Sequence, residues 1–191
     1  GRRAGLISSV LVSASTILIF VKFLDVFAGM WPLELYSWIP SLGVQFGLYM
    51  DGVSYPIILT VALLGFLATI YSYGYMQHGQ SKPSYFANLL LFIGGMEGVV
   101  LATNLIAFYI FWEIMLVPSF FLILFWGKKE NARMISMKYF LYTHLGALSV
   151  LIGFGLIYAA TGQIDMLFLG SSAGPALIAG RYASNPSVIQ L

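Results

Sequence analysis

Five stretches of this chain are almost continuously apolar and long enough to cross a bilayer, at about 4–24, 53–74, 85–103, 104–126 and 134–160. A crossing helix needs roughly 20 mostly apolar residues. Between the third and fourth stretches only a residue or two around Thr103–Asn104 is left for a turn. Those two helices are therefore expected to form a tight antiparallel hairpin.

The segment 26–52, "VFAGMWPLELYSWIPSLGVQFGLYMDG", breaks the pattern. It carries Pro32, Pro40 and four glycines, and "VQFGLYM" alternates as a short strand pair would. Its Trp and Tyr residues suit a membrane interface. The segment 161–186, with Gly and Ser clusters, reads as another loop, and a further helix is expected to start near 187. The whole of 1–191 is read as one transmembrane domain: all-α, polytopic, with about five spanning helices.

Composition sharpens this. Apolar residues make up 60% of the chain and charged residues 8%, against about 25% charged in soluble domains. This is an integral membrane protein. There is no cysteine, hence no disulfide and no thiolate ligand for zinc or an iron–sulfur cluster. The two histidines, His78 and His144, fall far apart in the expected topology, which argues against a bis-histidine haem. No metal site and no redox cofactor is expected in this chain. A net charge of +2 is too small to point to nucleic acid.

The first apolar stretch follows Arg2 and Arg3 in the manner of a signal peptide. No small-residue cleavage site precedes a soluble domain, so it is read as a retained helix. The absence of an initiator Met and the ending at "PSVIQL" lead us to expect a portion of a longer protein. Arg2, Arg3, Lys82, Lys128, Lys129 and Arg133 fall on one side of the expected topology, and Lys22 and Arg181 on the other. By the positive-inside rule, this bias places the N-terminus in the cytoplasm and the 26–52 loop outside.

The candidate chemistry lies within the spans. Glu97, Glu113 and His144 fall inside them, with Lys138 about one turn in from an end. Ionisable groups at membrane depth are rare and mark ion paths or interhelix contacts. At about 1.5 Å per residue, Glu113 lies near mid-membrane, with His144 at similar depth and Glu97 nearer the outer face. Five residues after Glu113, Pro118 cannot donate to the carbonyl of Ile114. It is read as a helix break beside a carboxylate, a place for water in a proton path. Each group also has a plainer reading. Lys138 can snorkel to the interface and His144 can serve as a hydrogen-bonded packing residue. Glu97, in "GGMEG", can bond a helix brought close by Gly94 and Gly98.

The stretches "NLIAFYIFWEIMLVPSFFLILFWG" and "MISMKYFLYTHLGALSVLIGFGLIY" closely resemble the antiporter-like subunits of respiratory complex I, most of all chain M. "WIPSLGVQFGLYMDGVS" and "LFIGGMEGVVLATNLIAFY" match as well. The resemblance covers about 5–165. The superfamily also includes subunits of membrane-bound hydrogenases and of multisubunit cation/proton antiporters. The resemblance implies that this is an N-terminal portion of a larger antiporter-like fold, preceded by a first helix and followed by the rest of two inverted repeats. It implies that Glu113 is a proton-switch carboxylate and Lys138 a relay. Glu97 and His144 match no motif of the family and remain weaker candidates.

The expected function is proton translocation in a complex I-type NADH (or other donor):quinone oxidoreductase. Iron–sulfur, flavin, nickel–iron or quinone chemistry would lie in partner subunits. A Na+/H+ antiporter or hydrogenase subunit is the alternative within the family, and a non-transporting scaffold the alternative outside it. A prokaryotic cell membrane is the expected location, with the mitochondrial inner membrane or thylakoid as alternatives. The expected partners are the lipid bilayer and the other membrane and peripheral subunits of such a complex.

Overall fold

In a bilayer the backbone must satisfy its own hydrogen bonds, so each apolar stretch becomes a helix. A computed structural model of the chain describes residues 2–30, 33–39, 44–75, 82–127 and 130–171. His78, Lys128, Lys129, Arg181 and the helix expected at 187 lie outside the described residues. Among these residues, five helical segments are long and apolar enough to cross a membrane. The long helices are α1 (Arg2–Val21), α3 (Ser54–Tyr75), α4 (Lys82–Leu101), α5 (Leu105–Trp126) and α6 (Ala132–Thr161). The first span departs from the expected 4–24: α1 stops at Val21, and after Lys22 a short α2 (Phe23–Phe27) completes it.

The irregular segment forms the expected strand pair. β1 (Leu33–Ile39) runs antiparallel to β2 (Val44–Tyr49), with Leu33 opposite Tyr49 and an irregularity between Ser37 and Ile39. Phe46 carries the hairpin onto α5, its ring 5.9 Å from that of Phe111. The loop after α6 contains a further short helix, α7 (Met166–Gly170), where the sequence suggested only loop. Its first turn is capped by Asp165, whose carboxylate accepts from the backbone N–H groups of Leu167 and Phe168.

The α4–α5 turn occupies Ala102, Thr103 and Asn104, as expected, and it is stitched on both sides. The Thr103 N–H donates to the Gly47 carbonyl of β2, and the Thr103 carbonyl accepts from Met166. Asn104 caps α5 by accepting from the Ala107 N–H at 2.7 Å, while its amide donates to the Gln45 carbonyl at 2.6 Å. α3 starts with a reciprocal cap. Asp51 accepts from the Ser54 and Val53 N–H groups, and Ser54 Oγ accepts from the Asp51 N–H. The Ser54 N–H, first among these donors, holds the Asp51 carboxyl below its ordinary value.

α4 and α5 pack closely because glycines leave room. A Cβ at Gly95 would sit 2.8 Å from the Met115 backbone nitrogen, and one at Gly98 would overlap the Phe111 ring. Gly94, expected to share this face, meets open space, so Gly95 takes its place. α1 packs on α3 and α4. Val12 meets Phe86, Leu89 and Ile93 in one apolar cluster, and Ile19, Val26, Tyr55, Ile58 and Ala62 form another nearer the hairpin end. Among the described residues, the main long-helix neighbour of α6 is α5. Only 6% of its most apolar window is buried, against 28% for α3 and α4, so most of α6 is free to face lipid or other protein.

Association of helices in lipid rests on close van der Waals contact, so a side chain at Gly98 should act directly on the α4–α5 pair. Gly98→Val is expected to cost about 1–3 kcal/mol as an overpacking change. This would be read as a lower thermal midpoint and reduced subunit content in membranes, with Gly94→Val as the nearly neutral control.

Candidate functional site

The glycine contact sets the rotation of α5. Phe111 and Met115 are pinned against α4, so Glu113, between them in sequence, is turned to the other side and faces α6. There it meets His144: Glu113 Oε1 and His144 Nδ1 are 3.4 Å apart. This is ion-pair distance, yet neither atom makes a hydrogen bond, although both are buried. The side chains as wholes stay partly open, 26% exposed for Glu113 and 37% for His144. The imidazole is held flat against Phe140, one turn earlier on α6, with ring centroids 5.3 Å apart and planes 8° from parallel.

Two unsatisfied buried polar atoms facing one another are costly, and such cases cluster at functional sites. Here the two atoms are an acid and a base. A shortening of about half an ångström would bring them into hydrogen-bond range.

Further polar contacts extend the α5–α6 seam in both directions. Toward the α4–α5 turn, Tyr109 precedes Glu113 by one turn and so shares its helix face. Tyr109 also lines a cavity of about 610 Å³, together with Gln45, Asn104, Tyr158, Gln163 and Asp165. In the other direction, Ser119 Oγ donates to the Leu116 carbonyl at 2.7 Å and lies 2.9 Å from the Tyr139 hydroxyl. The serine hydrogen is committed to the carbonyl, so the phenol is the donor of that second bond.

The remaining candidates are placed as follows. Pro118 is buried and does not break the helix; α5 continues through it to Trp126. The proline removes one backbone hydrogen bond, and the packed neighbours keep the rest of the helix intact. Lys138 is exposed on α6, about 9 Å along the axis from His144 at 1.5 Å per residue. No ion pair joins it to Glu113 among the described residues. Glu97 faces α1, where Ser15 Oγ contacts both its carboxylate oxygens at 2.9 and 3.1 Å. Thus Glu113 and His144 come together, while Lys138 and Glu97 stand apart from them. Among the described residues, no group of three His, Cys, Asp or Glu could hold a metal ion.

Tyr109, Ser119, Tyr139 and Ser15 escape a reading of charges alone. A signal existed for Tyr109, which sits four residues from Glu113 and so on the same helix face. Ser119 and Tyr139 look like ordinary span residues until α5 and α6 are docked.

Two family models match the chain. "NADH-Ubiquinone oxidoreductase (complex I), chain 5 N-terminus" matches residues 38–86, and "NADH:quinone oxidoreductase/Mrp antiporter, TM" matches residues 102–183. The chain belongs to the antiporter-like membrane subunits shared by complex I and Mrp antiporters. It is a multi-pass membrane protein of that superfamily.

Its relatives come from both kinds of complex. The A1 subunit of a Na(+)/H(+) antiporter of Staphylococcus haemolyticus is 36% identical over 154 residues, covering 78% of this chain and 19% of the relative. F(420)H(2) dehydrogenase subunit M of Methanosarcina mazei is 35% identical over 160 residues, covering 83% of this chain and 32% of the relative. The chain therefore spans about a fifth to a third of the length of these curated relatives. Among solved structures, the Mrp complex of Dietzia sp. DQ12-45-1b superposes with a TM-score of 0.75 at 25% identity, covering 98% of this chain and 21% of the matched chain. A membrane-bound sulfane sulfur reductase, an archaeal respiratory membrane complex, gives 0.71 at 21% identity over 94% of this chain and 37% of the matched one, a likeness of fold.

If Glu113 and His144 interact as their placement indicates, their substitutions will not be additive. A double-mutant cycle with Glu113→Gln and His144→Gln, scored by thermal stability of the assembled complex, is expected to show coupling of about 0.5–3 kcal/mol. The same cycle between Glu113 and Lys138 is expected to close to within about 0.5 kcal/mol.

Proposed function

We propose that this chain carries an ion-translocating step of a multisubunit membrane complex, with the Glu113–His144 pair as the proton-exchanging centre. The observation that carries this reading is the contact of a mid-span carboxylate with a mid-span imidazole, both atoms buried and neither otherwise hydrogen-bonded. A proton that passes from the Glu113 carboxyl to His144 Nδ1 converts a neutral pair into an ion pair without changing the net charge of the site. Loss of that proton from His144, or gain of another by Glu113, then changes the charge by one. A site that cycles through these states moves one proton per cycle if its two openings alternate.

In this reading Tyr109 connects Glu113 to the cavity at the α4–α5 turn end. Lys138 supplies a positive charge, reached through water, toward the opposite end. With the N-terminus in the cytoplasm, as the Lys and Arg distribution suggests, the cavity lies on the outer side and Lys138 on the cytoplasmic side. Redox chemistry, where the complex performs it, belongs to partner subunits. This chain's part is to bind, hold and release a proton in response to their motion or charge. A complex I-type oxidoreductase in a prokaryotic cell membrane fits the similarity to the F(420)H(2) dehydrogenase relative.

A second reading, Na+/H+ exchange, is favoured by the similarity to the staphylococcal antiporter relative. It keeps the same pair and changes the driving force, since a carboxylate can exchange Na+ for H+. Glu113→Gln in the whole complex, in closed vesicles, tests the shared core. Ion movement should fall at least tenfold while subunit content is retained. Undiminished movement would overturn the reading. Dependence on redox substrate with no sodium requirement selects the oxidoreductase, and proton movement driven by a sodium gradient alone selects the antiporter.

A further inference from the structure

A second carboxyl, Glu97, lies level with Glu113 and not nearer the outer face as its place in the sequence led us to expect. The Gly95–Met115 and Gly98–Phe111 contacts fix the register of the antiparallel α4–α5 pair, and within that register Glu97 stands opposite Glu113. The two point apart, Glu97 toward Ser15 of α1 and Glu113 toward His144 of α6. The pair of helices thus carries one carboxyl on each flank at one depth.

Among the described residues, no cation pairs with Glu97. The described ion pairs are Lys22–Asp25 and Glu113–His144. On α1 the charged residues are Arg2 and Arg3, at the far end of the helix. Lys22, just beyond the end of α1, is turned to Asp25. α3, packed on α1 and α4, has no Asp, Glu, Lys, Arg or His. α5 offers only Glu113, on its opposite side. α4 itself otherwise has only Lys82, fifteen residues away. An unpaired carboxylate at this depth is costly.

Among the described residues, the hydrogen-bond partner of Glu97 is Ser15. Ser9, Ser13 and Thr16 of α1 each donate to the carbonyl four residues earlier. Ser15 instead reaches across to Glu97, at 2.9 Å from one oxygen and 3.1 Å from the other. A serine has one hydrogen to give. That hydrogen is shared between the two carboxyl oxygens, so the described partner of Glu97 is a neutral hydroxyl and not a cation.

We propose that Glu97 is a second proton-binding carboxyl of this subunit, held as the neutral acid against the Ser15 hydroxyl on the α1 flank, because an uncompensated charge at this depth costs more than a bound proton. It is a site for a proton rather than for sodium, because the serine hydroxyl and the carboxyl are the two ligand groups it presents. The proposal stands whether or not Glu113 moves ions.

The test is infrared difference spectroscopy of the intact complex in lipid at neutral pH, wild type against Glu97→Gln, both with Glu113→Gln to remove the other carboxyl. The expected result is loss of one protonated-carboxyl C=O band in the Gln variant. That band should shift in Ser15→Ala, which removes the hydrogen bond and leaves Glu97. A difference spectrum holding only ionised-carboxylate bands would overturn the proposal. If Glu97→Gln does not accumulate, labelling of the unaltered complex with dicyclohexylcarbodiimide decides. The acid proton passes to a carbodiimide nitrogen and the carboxyl oxygen bonds to the central carbon. The acyl group then migrates from oxygen to nitrogen, with nothing lost. A mass gain of one reagent on the Glu97 peptide supports the neutral acid; an unlabelled peptide contradicts it.

Discussion

The close approach of α4 and α5 at Gly95 and Gly98 sets the direction in which both mid-span carboxyls, Glu97 and Glu113, face. In water, burial of apolar faces would hold two helices together. Within lipid that force is absent, and contact between backbones has to replace it. Here the absence of two side chains on α4 lets Met115 and Phe111 of α5 sit where Cβ atoms would otherwise be. Once that face is fixed, the helical period leaves Glu113 no orientation toward α4. It must meet α6, and Glu97 must turn toward α1.

α6 adds the partner. Its contact with α5 is a line of aromatic and polar pairs: Phe108 with Phe154, Glu113 with His144, Ser119 with Tyr139, Phe120 with Phe140. The stacked Phe140 holds the imidazole flat, which limits where Nδ1 can go. The pair is close enough to attract and makes no hydrogen bond. Such an arrangement responds to small displacements, because an acid–base contact strengthens steeply on entering hydrogen-bond range. A slight slide of α6 along α5 is therefore a physical means of changing where the proton resides.

Much of this was legible in the residues. Apolar run length located all five spans, and the few residues between the third and fourth required the tight turn at Thr103–Asn104. Alternation in "VQFGLYM" anticipated β2. Helix rotation was harder to read. Gly94 and Gly95 are equivalent in composition, and only docking shows that Gly95 meets Met115. Lys138 and His144 could be separated by period, about 120° apart, yet which of them faces Glu113 depends on the α5–α6 contact. The family resemblance made Lys138 a relay on the same hydrophilic axis; the described structure brings His144 to Glu113. Pro118 suggested a break, but a single missing bond inside a packed helix leaves the helix continuous. α7 is too short for run length to reveal, and its Asp165 cap was the available sign.

The central claim is that His144 exchanges a proton with Glu113 rather than merely packing beside it. His144→Phe tests this most directly: it keeps an aromatic ring to stack on Phe140 and removes both nitrogens. The measurement is ion movement per turnover by the whole complex in closed vesicles, with subunit content followed in parallel. The account predicts normal assembly and ion movement reduced at least tenfold. Normal assembly with undiminished ion movement would contradict it and leave His144 a packing residue.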